Sequence, residues 1–195
     1  MTLDLKLISE IRELTGAGMN DVKVALDEAE GDKEKAIDIL RKKGVVKAAK
    51  KADRATSQGV VHAYIHAGGR VGTLVKLMCE TDFVARTDKF QALAHDVAMH
   101  VAAANPLYMA ESDVPEAVIE KEKEIYREQL RMEGKPEAVW DKIMEGKIQK
   151  FFADVCLLKQ PYFKEESMTV EQVVQNAIAT MGENIQIGGF SRLSL

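Results

Sequence analysis

The sequence predicts an α+β protein, an all-helical head followed by a core in which helices are interspersed with a small antiparallel sheet. Three observations carry this. Apolar residues recur at helical spacing over residues 3–44, alternate over 59–66, and return to helical spacing from Phe90 onward. The head is expected at 1–44, a linker at 45–56 and the α+β core at 57–195, with a helical hairpin at 115–155.

In the head, Leu5, Ile8, Ile11 and Leu14 form a first stripe, and Gly16 lies where a helix stops. Met19, Val22, Ala25, Leu26 and Ala29 form a second, ended by Gly31. Asp32 is a good N-cap for a third helix carrying Ala36, Ile37 and Leu40, closed by Gly44. Three helices in about 40 residues make a core near the lower size limit for a domain. Residues 45–56, VVKAAKKADRAT, have no apolar face. They read as a solvated linker with helical tendency, or as a phosphate-binding patch of Lys47, Lys50, Lys51 and Arg54.

Residues 59–66, GVVHAYIH, alternate as a strand; Ala67–Arg70 is a hairpin turn and Val71–Met78 the returning strand. Thr87 or Asp88 can cap a helix whose stripe is Phe90, Leu93, Ala94, Val97, Ala98, Val101 and Ala102, stopped at Asn105-Pro106. Pro115 and Pro136 each open one arm of an antiparallel helical hairpin, with Gly134 between. Thr169 caps a last helix, and 184–195 reads as a closing strand.

Composition narrows the function. A net charge of −4 disfavours non-specific nucleic-acid binding, and no apolar run reaches the roughly 20 residues of a membrane span. The charged N-terminus, with Asp4 and Glu10, is neither a secretory signal nor a transit peptide, so a cytoplasmic protein with reduced Cys79 and Cys156 is expected. The chemistry of an enzyme is hard to find. His62 and His66 lie about 13 Å apart along a strand, and His95 and His100 point differently on a helix. Gly16-Ala17-Gly18 and the Gly68, Gly69, Gly72 cluster lack the residues of a phosphate loop. No catalytic set, metal or cofactor is expected. The pattern is that of a protein that binds.

One segment stands out: ETDFVAR, residues 80–86. Thr81-Asp82 can cap a short turn, leaving Phe83 at the join of strand and helix. A large aromatic there is either a core plug or an exposed anchor for a partner. Together with IRELTGAGMNDVKVAL (11–26), CLLKQPYFKEESMTV (156–170) and GENI (182–185), CETDFVAR (79–86) resembles the signatures of the bacterial elongation factor Ts family along nearly the whole chain. There are departures. Val22 and Val24 stand where that family usually shows Cys and Lys, so any role of that Cys is not carried over. Gly188-Gly189 stand where two arginines are common.

The resemblance implies a ubiquitin-associated-like three-helix head and a non-enzymatic guanine-nucleotide exchange factor. Its partner would be the translational GTPase EF-Tu, GDP-bound and nucleotide-free. Thr81, Asp82, Phe83 and Val84 would enter between two helices of EF-Tu and disturb its Mg²⁺ site. Further expected partner contacts are Arg12, Gly16, Gly18, Met19, His66, Gly69 and Gly72. Since many relatives carry two core modules, this single-module chain is expected to form a homodimer in a 2:2 complex, with no nucleic acid and no membrane. Three rivals follow from the residues: a ubiquitin-like-protein adaptor, an RNA-binding module built on the Lys-rich linker, and an enzyme with a spatially assembled site.

Overall fold

The computed structural model describes residues 5–195; residues 1–4 of the expected head lie outside the described residues. The chain forms two compact units, one running up to Met99 and resuming from Gln172 to Leu195, the other His100–Glu171. The head therefore shares a unit with the sheet, and the helical hairpin belongs to the other.

The head is α1 (Leu5–Thr15), α2 (Met19–Glu28) and α3 (Lys33–Ala49), the arrangement expected of a ubiquitin-associated-like domain. Ile8, Ile11, Val22, Ala25, Leu26, Ala29, Ala36 and Leu40 make its core. Asp32 caps α3, its carboxylate accepting from the Lys35 amide at 3.0 Å. Three details depart from expectation. Leu5, Leu14 and Met19 are exposed. A stripe at spacing three drifts about 60° per step on a 3.6-residue helix, so only the middle pair, Ile8 and Ile11, faces the core. Second, α3 runs past Gly44 to Ala49, with Gly44 close to Asn176 and Ala179 of α8 (Val170–Met181). Third, the following segment is pinned: the Lys51 ammonium donates to the Gly182 carbonyl, and the Asn184 side-chain Nδ2 donates to the carbonyls of Ala52 and Arg54. The segment stays largely exposed to solvent, but it is fastened and not a free tether. Lys47 pairs with Asp21 and Arg54 with Glu80, so the expected phosphate patch has most of its charge engaged at home.

The sheet has the order β1-β2-β5, with β1 (Gln58–Ile65), β2 (Val71–Cys79) and β5 (Ile185–Ser194) all antiparallel. The central strand buries Thr73, Val75, Leu77 and Cys79. The Thr73 hydroxyl donates to the Ala98 carbonyl of α5 (Asp88–Ala104) at 2.9 Å, so α5 covers this face. The opposite face carries Val61, Ala63 and Ile65 of β1, Gly72, Leu74 and Lys76 of β2, and Ser191 and Leu193 of β5. Val61, Ile65, Leu74 and Leu193 are each at least half exposed. Gly188-Gly189 fall at a bulge, where the register slips between Lys76 and Leu77.

The second unit holds α6 (Glu116–Met132), α7 (Trp140–Val155), and β3 (Pro161–Tyr162) paired with β4 (Glu165–Thr169). That small hairpin was not anticipated. Val114, Ile148, Phe152 and Cys156 form the local core, flanked by Ile119, Tyr126 and Met144. His100 is buried. The Phe163 amide donates to its Nδ1 at 3.4 Å, so the hydrogen sits on Nε2, which donates to Gln160 Oε1 at 3.0 Å.

Two consequences are measurable. Gly59, at φ 148°, lies against the Leu77 carbonyl oxygen, where a side chain has no room. Gly59→Ala should cost about 2 kcal/mol, read as a lower urea midpoint; an unchanged midpoint would show that the edge strand yields. Burial, outweighing the Gln160 bond, holds His100 below its ordinary value of 6.5. The unfolded chain then takes up the proton first, so this stability is complete above about pH 6.5 and is lost as the pH falls through it. Thermal melts should therefore drop in midpoint on acidification across that value, and His100→Leu should narrow the drop.

Candidate partner-docking site

The sharpest surface feature is the corner where β2 ends. Its ladder stops at Cys79 paired with Ile185. The chain then turns into α4, a single helical turn over Asp82–Ala85. Thr81 is its N-cap, the hydroxyl oxygen accepting from the Val84 amide at 3.4 Å. Asp82 pairs with Arg86 at 2.9 Å on the surface, a contact of small energetic weight. Ala85 is buried and anchors the turn. At the far end the Thr87 hydroxyl donates to the Val84 carbonyl at 2.8 Å, and the Gln91 side-chain Nε2 donates to the Ala85 carbonyl at 2.7 Å. Thr87 also accepts from the Phe90 amide at 3.3 Å, so Thr87 opens α5.

Phe83 projects from this clamped turn with 82% of its surface exposed. It is not a core plug. The core position at this end is taken by Phe90, which is fully buried. A large aromatic left in water at the apex of a clamped turn is the kind of side chain found at docking anchors.

The other expected contacts fall on two connections of the same unit. Arg12, Gly16, Gly18 and Met19 are exposed around the α1–α2 corner, beside exposed Leu14. Gly16 also has a purely structural reason: at φ 66° it ends α1, and a side chain there would press on Thr180 of α8. His66, Gly69 and Gly72 lie at the β1–β2 hairpin. The Gly69 amide donates to the His66 carbonyl at 2.9 Å to close the turn, and His66 shares a hydrogen bond of 3.0 Å with the Tyr64 hydroxyl. Gly72 sits within the sheet opposite Ile65, on the open face. Val22, where the resembled family usually has Cys, is a core residue of the head, so that departure is a change of packing.

The remaining polar groups are accounted for by neighbours. His62 and His95 share a hydrogen bond of 3.1 Å, and burial, then the neighbouring His95, lower the basicity of His62. Cys79 and Cys156 are buried free thiols, each pushed up chiefly by burial, which leaves them poor nucleophiles. Among the described residues no group of three or more His, Cys, Asp or Glu side chains is placed to hold a metal, and no helix is long and apolar enough to cross a membrane. Sequence reasoning missed Glu80 and Asn184 as the fasteners of the corner. The Glu80 carboxylate accepts from the Asn184 amide at 2.6 Å, and Asn184 is buried. The GENI segment carries a family signature, but its partners lie about 100 residues away in sequence.

The comparisons with known proteins agree along the chain. The pattern of the family described as Elongation factor TS matches residues 8–195. A protein named Elongation factor Ts from Fervidobacterium nodosum is 52% identical over 195 residues, covering 100% of this chain and 99% of the relative. One from Carboxydothermus hydrogenoformans is 55% identical over 97% of this chain and 88% of the relative. One from Nitratidesulfovibrio vulgaris is 51% identical over 100% and 98%. With a family pattern and relatives of this identity spanning the same head, corner and closing strand, the chain belongs to the elongation factor Ts family of translation elongation factors.

Proposed function

We propose that this protein is a non-enzymatic, cytoplasmic guanine-nucleotide exchange factor for EF-Tu, and that it releases GDP by inserting the Thr81–Val84 corner. The observation that carries this is Phe83, 82% exposed on a helical turn held at both ends. GDP on a translational GTPase is held largely through its phosphates and a bridging Mg²⁺. An apolar ring forced between the helices that support that ion weakens the grip without breaking a bond. Thr81 caps the turn, Asp82 and Val84 shape its flanks, and Ala85 roots it. The exposed α1–α2 corner, with Arg12, Leu14 and Met19, supplies a second contact, and the His66–Gly69 turn a third. The Mg²⁺ belongs to the partner.

The thermodynamics is a coupling. The factor must bind nucleotide-free EF-Tu more tightly than the GDP form, and by reciprocity nucleotide weakens the factor by the same ratio. A ratio of a thousand corresponds to about 4 kcal/mol.

The second copy of the chain is proposed to lie on the open sheet face. Val61, Ala63, Ile65, Leu74 and Leu193 form an apolar surface around the central strand. Such a face is self-complementary about a two-fold axis placed near Leu74, and two such sheets pack about 10 Å apart. The occupant is then another copy, giving two exchange corners per dimer and a 2:2 complex.

Phe83→Ala is expected to keep the fold and slow GDP release from EF-Tu by roughly 30-fold or more, the loss of a ~2 kcal/mol hot spot. Stopped-flow release of a fluorescent GDP analogue reads this directly, and an unchanged rate would end the wedge reading. Leu74→Asp should convert a species of twice the chain mass to one of the single chain in light scattering. A wild-type chain that is monomeric at tens of micromolar would remove the dimer from this proposal.

A further inference from the structure

The backbone between the end of β2 and the start of α4 has no ladder to rest on. Cys79 is the last paired residue of β2, yet Glu80 and Thr81 lead directly into the turn that presents Phe83. Their amides are taken by one side chain from the other end of the unit. Glu183 Oε2 accepts from the Glu80 amide at 3.1 Å and from the Thr81 amide at 3.0 Å. Its second oxygen, Oε1, accepts from the Thr81 hydroxyl at 2.6 Å. The contact is reciprocal, because the Glu80 carboxylate accepts from the Asn184 amide at 2.6 Å.

Thr81 joins Glu183 to the wedge. Its hydroxyl has one hydrogen and two lone pairs. Giving the hydrogen to Glu183 fixes the rotor and leaves a lone pair aimed at the Val84 amide, the bond that caps α4. A hydroxyl free to rotate would share its hydrogen among several acceptors and cap the turn less completely. A carboxylate suits this place better than an amide. Both its oxygens accept and neither donates, and hydrogen bonds to a charged acceptor are about twice as strong as neutral ones.

From these contacts we propose that Glu183 is a positioning residue of the exchange reaction: it fixes the Glu80–Thr81 backbone and the Thr81 rotor so that Phe83 is presented in one orientation. This rests on the reading of Phe83 as the inserting side chain. Glu183 touches neither nucleotide nor Mg²⁺ and acts through Thr81. It contributes to the maximal rate of GDP release more than to the affinity of docking, since the head and the hairpin turn make their contacts without it.

The test measures GDP release from EF-Tu over a range of factor concentrations, separating the maximal rate from the half-saturating concentration. Glu183→Gln keeps size but leaves one acceptor, which can serve the two backbone amides or the Thr81 hydroxyl but not both, so a donor group must face one of them. It should lower the maximal rate about tenfold, the loss of one charge-assisted hydrogen bond, while half-saturation moves less than about threefold. In a Phe83→Ala background the same change should lower the rate no further, because the group being positioned is gone. Thr81→Val, which removes the hydroxyl while sparing the fasteners at Glu80, should give a loss of the same kind and serves if Glu183→Gln does not fold. Wild-type rates for Glu183→Gln beside a slow Phe83→Ala would overturn the role of Glu183 and leave the wedge standing. Losses that multiply in the double variant would also overturn it, placing Glu183 in general stability. A fully active Phe83→Ala would instead remove the wedge, and this inference with it.

Discussion

The structure of the first unit depends on the pairing of β2 with β5, strands about 110 residues apart in sequence. This pairing makes β2 the central strand, and a central strand cannot leave both its faces in water. Its inner face, Thr73 to Cys79, is sealed by α5, which only residues 80–87 separate from the end of β2. The connection is thereby short and sharp. A one-turn helix fills it, and the residue at its apex has nowhere to point but outward. The exposed Phe83 is a consequence of how tightly β2 is joined to α5.

The same pairing fixes the closing segment. Because Cys79 lies opposite Ile185, residues 183 and 184 arrive beside 80 and 81. From there Asn184 reaches back to Ala52 and Arg54, and Lys51 reaches to Gly182. The chain leaving the head, the corner and the start of β5 thus meet in one polar knot, with the Asn184 side chain buried and satisfied. Buried polar groups with complete partners specify one arrangement, because each alternative leaves a donor without an acceptor. The corner bearing Phe83 is accordingly set by contacts from three parts of the sequence.

That origin explains what could be read beforehand. Local patterns were enough for most of the helices, for the β1–β2 hairpin, and for the caps at Asp32 and Thr81, since spacing and capping are decided within a turn or two. Leu5 and Leu14 misled because spacing three resembles spacing 3.6 until it is followed for three steps. The continuation of α3 past Gly44 was hidden, since the residues that Gly44 approaches, Asn176 and Ala179, are far along the chain. The 51–56 segment looked like a tether for the same reason. Phe83 was undecidable alone. The helical stripe turned Phe90 inward from the sequence alone, but a single aromatic on a one-turn helix has no stripe that says which way it points. Among the candidate contacts, Gly16 carries a lesson in the other direction: a residue prominent in a family signature can owe its presence to a close approach within the chain itself.

If the corner acts as proposed, the energetics of exchange require it to be rigid. Burying a phenylalanine ring in a partner contributes about 2–3 kcal/mol, while a thousandfold coupling needs about 4 kcal/mol. Burial alone is therefore too small, and only the difference between the GDP-bound and nucleotide-free partner counts; a ring buried equally in both shifts nothing. The difference must come from a shape the GDP-bound partner cannot accommodate. A loose ring would swing aside and bind both states. A ring on a turn capped by Thr81, rooted by Ala85 and closed by Thr87 and Gln91 cannot swing aside at so little cost, so in the proposed exchange the strain would fall on the partner. On the proposed reading, stiffness in the factor would convert a modest apolar contact into a choice between nucleotide states.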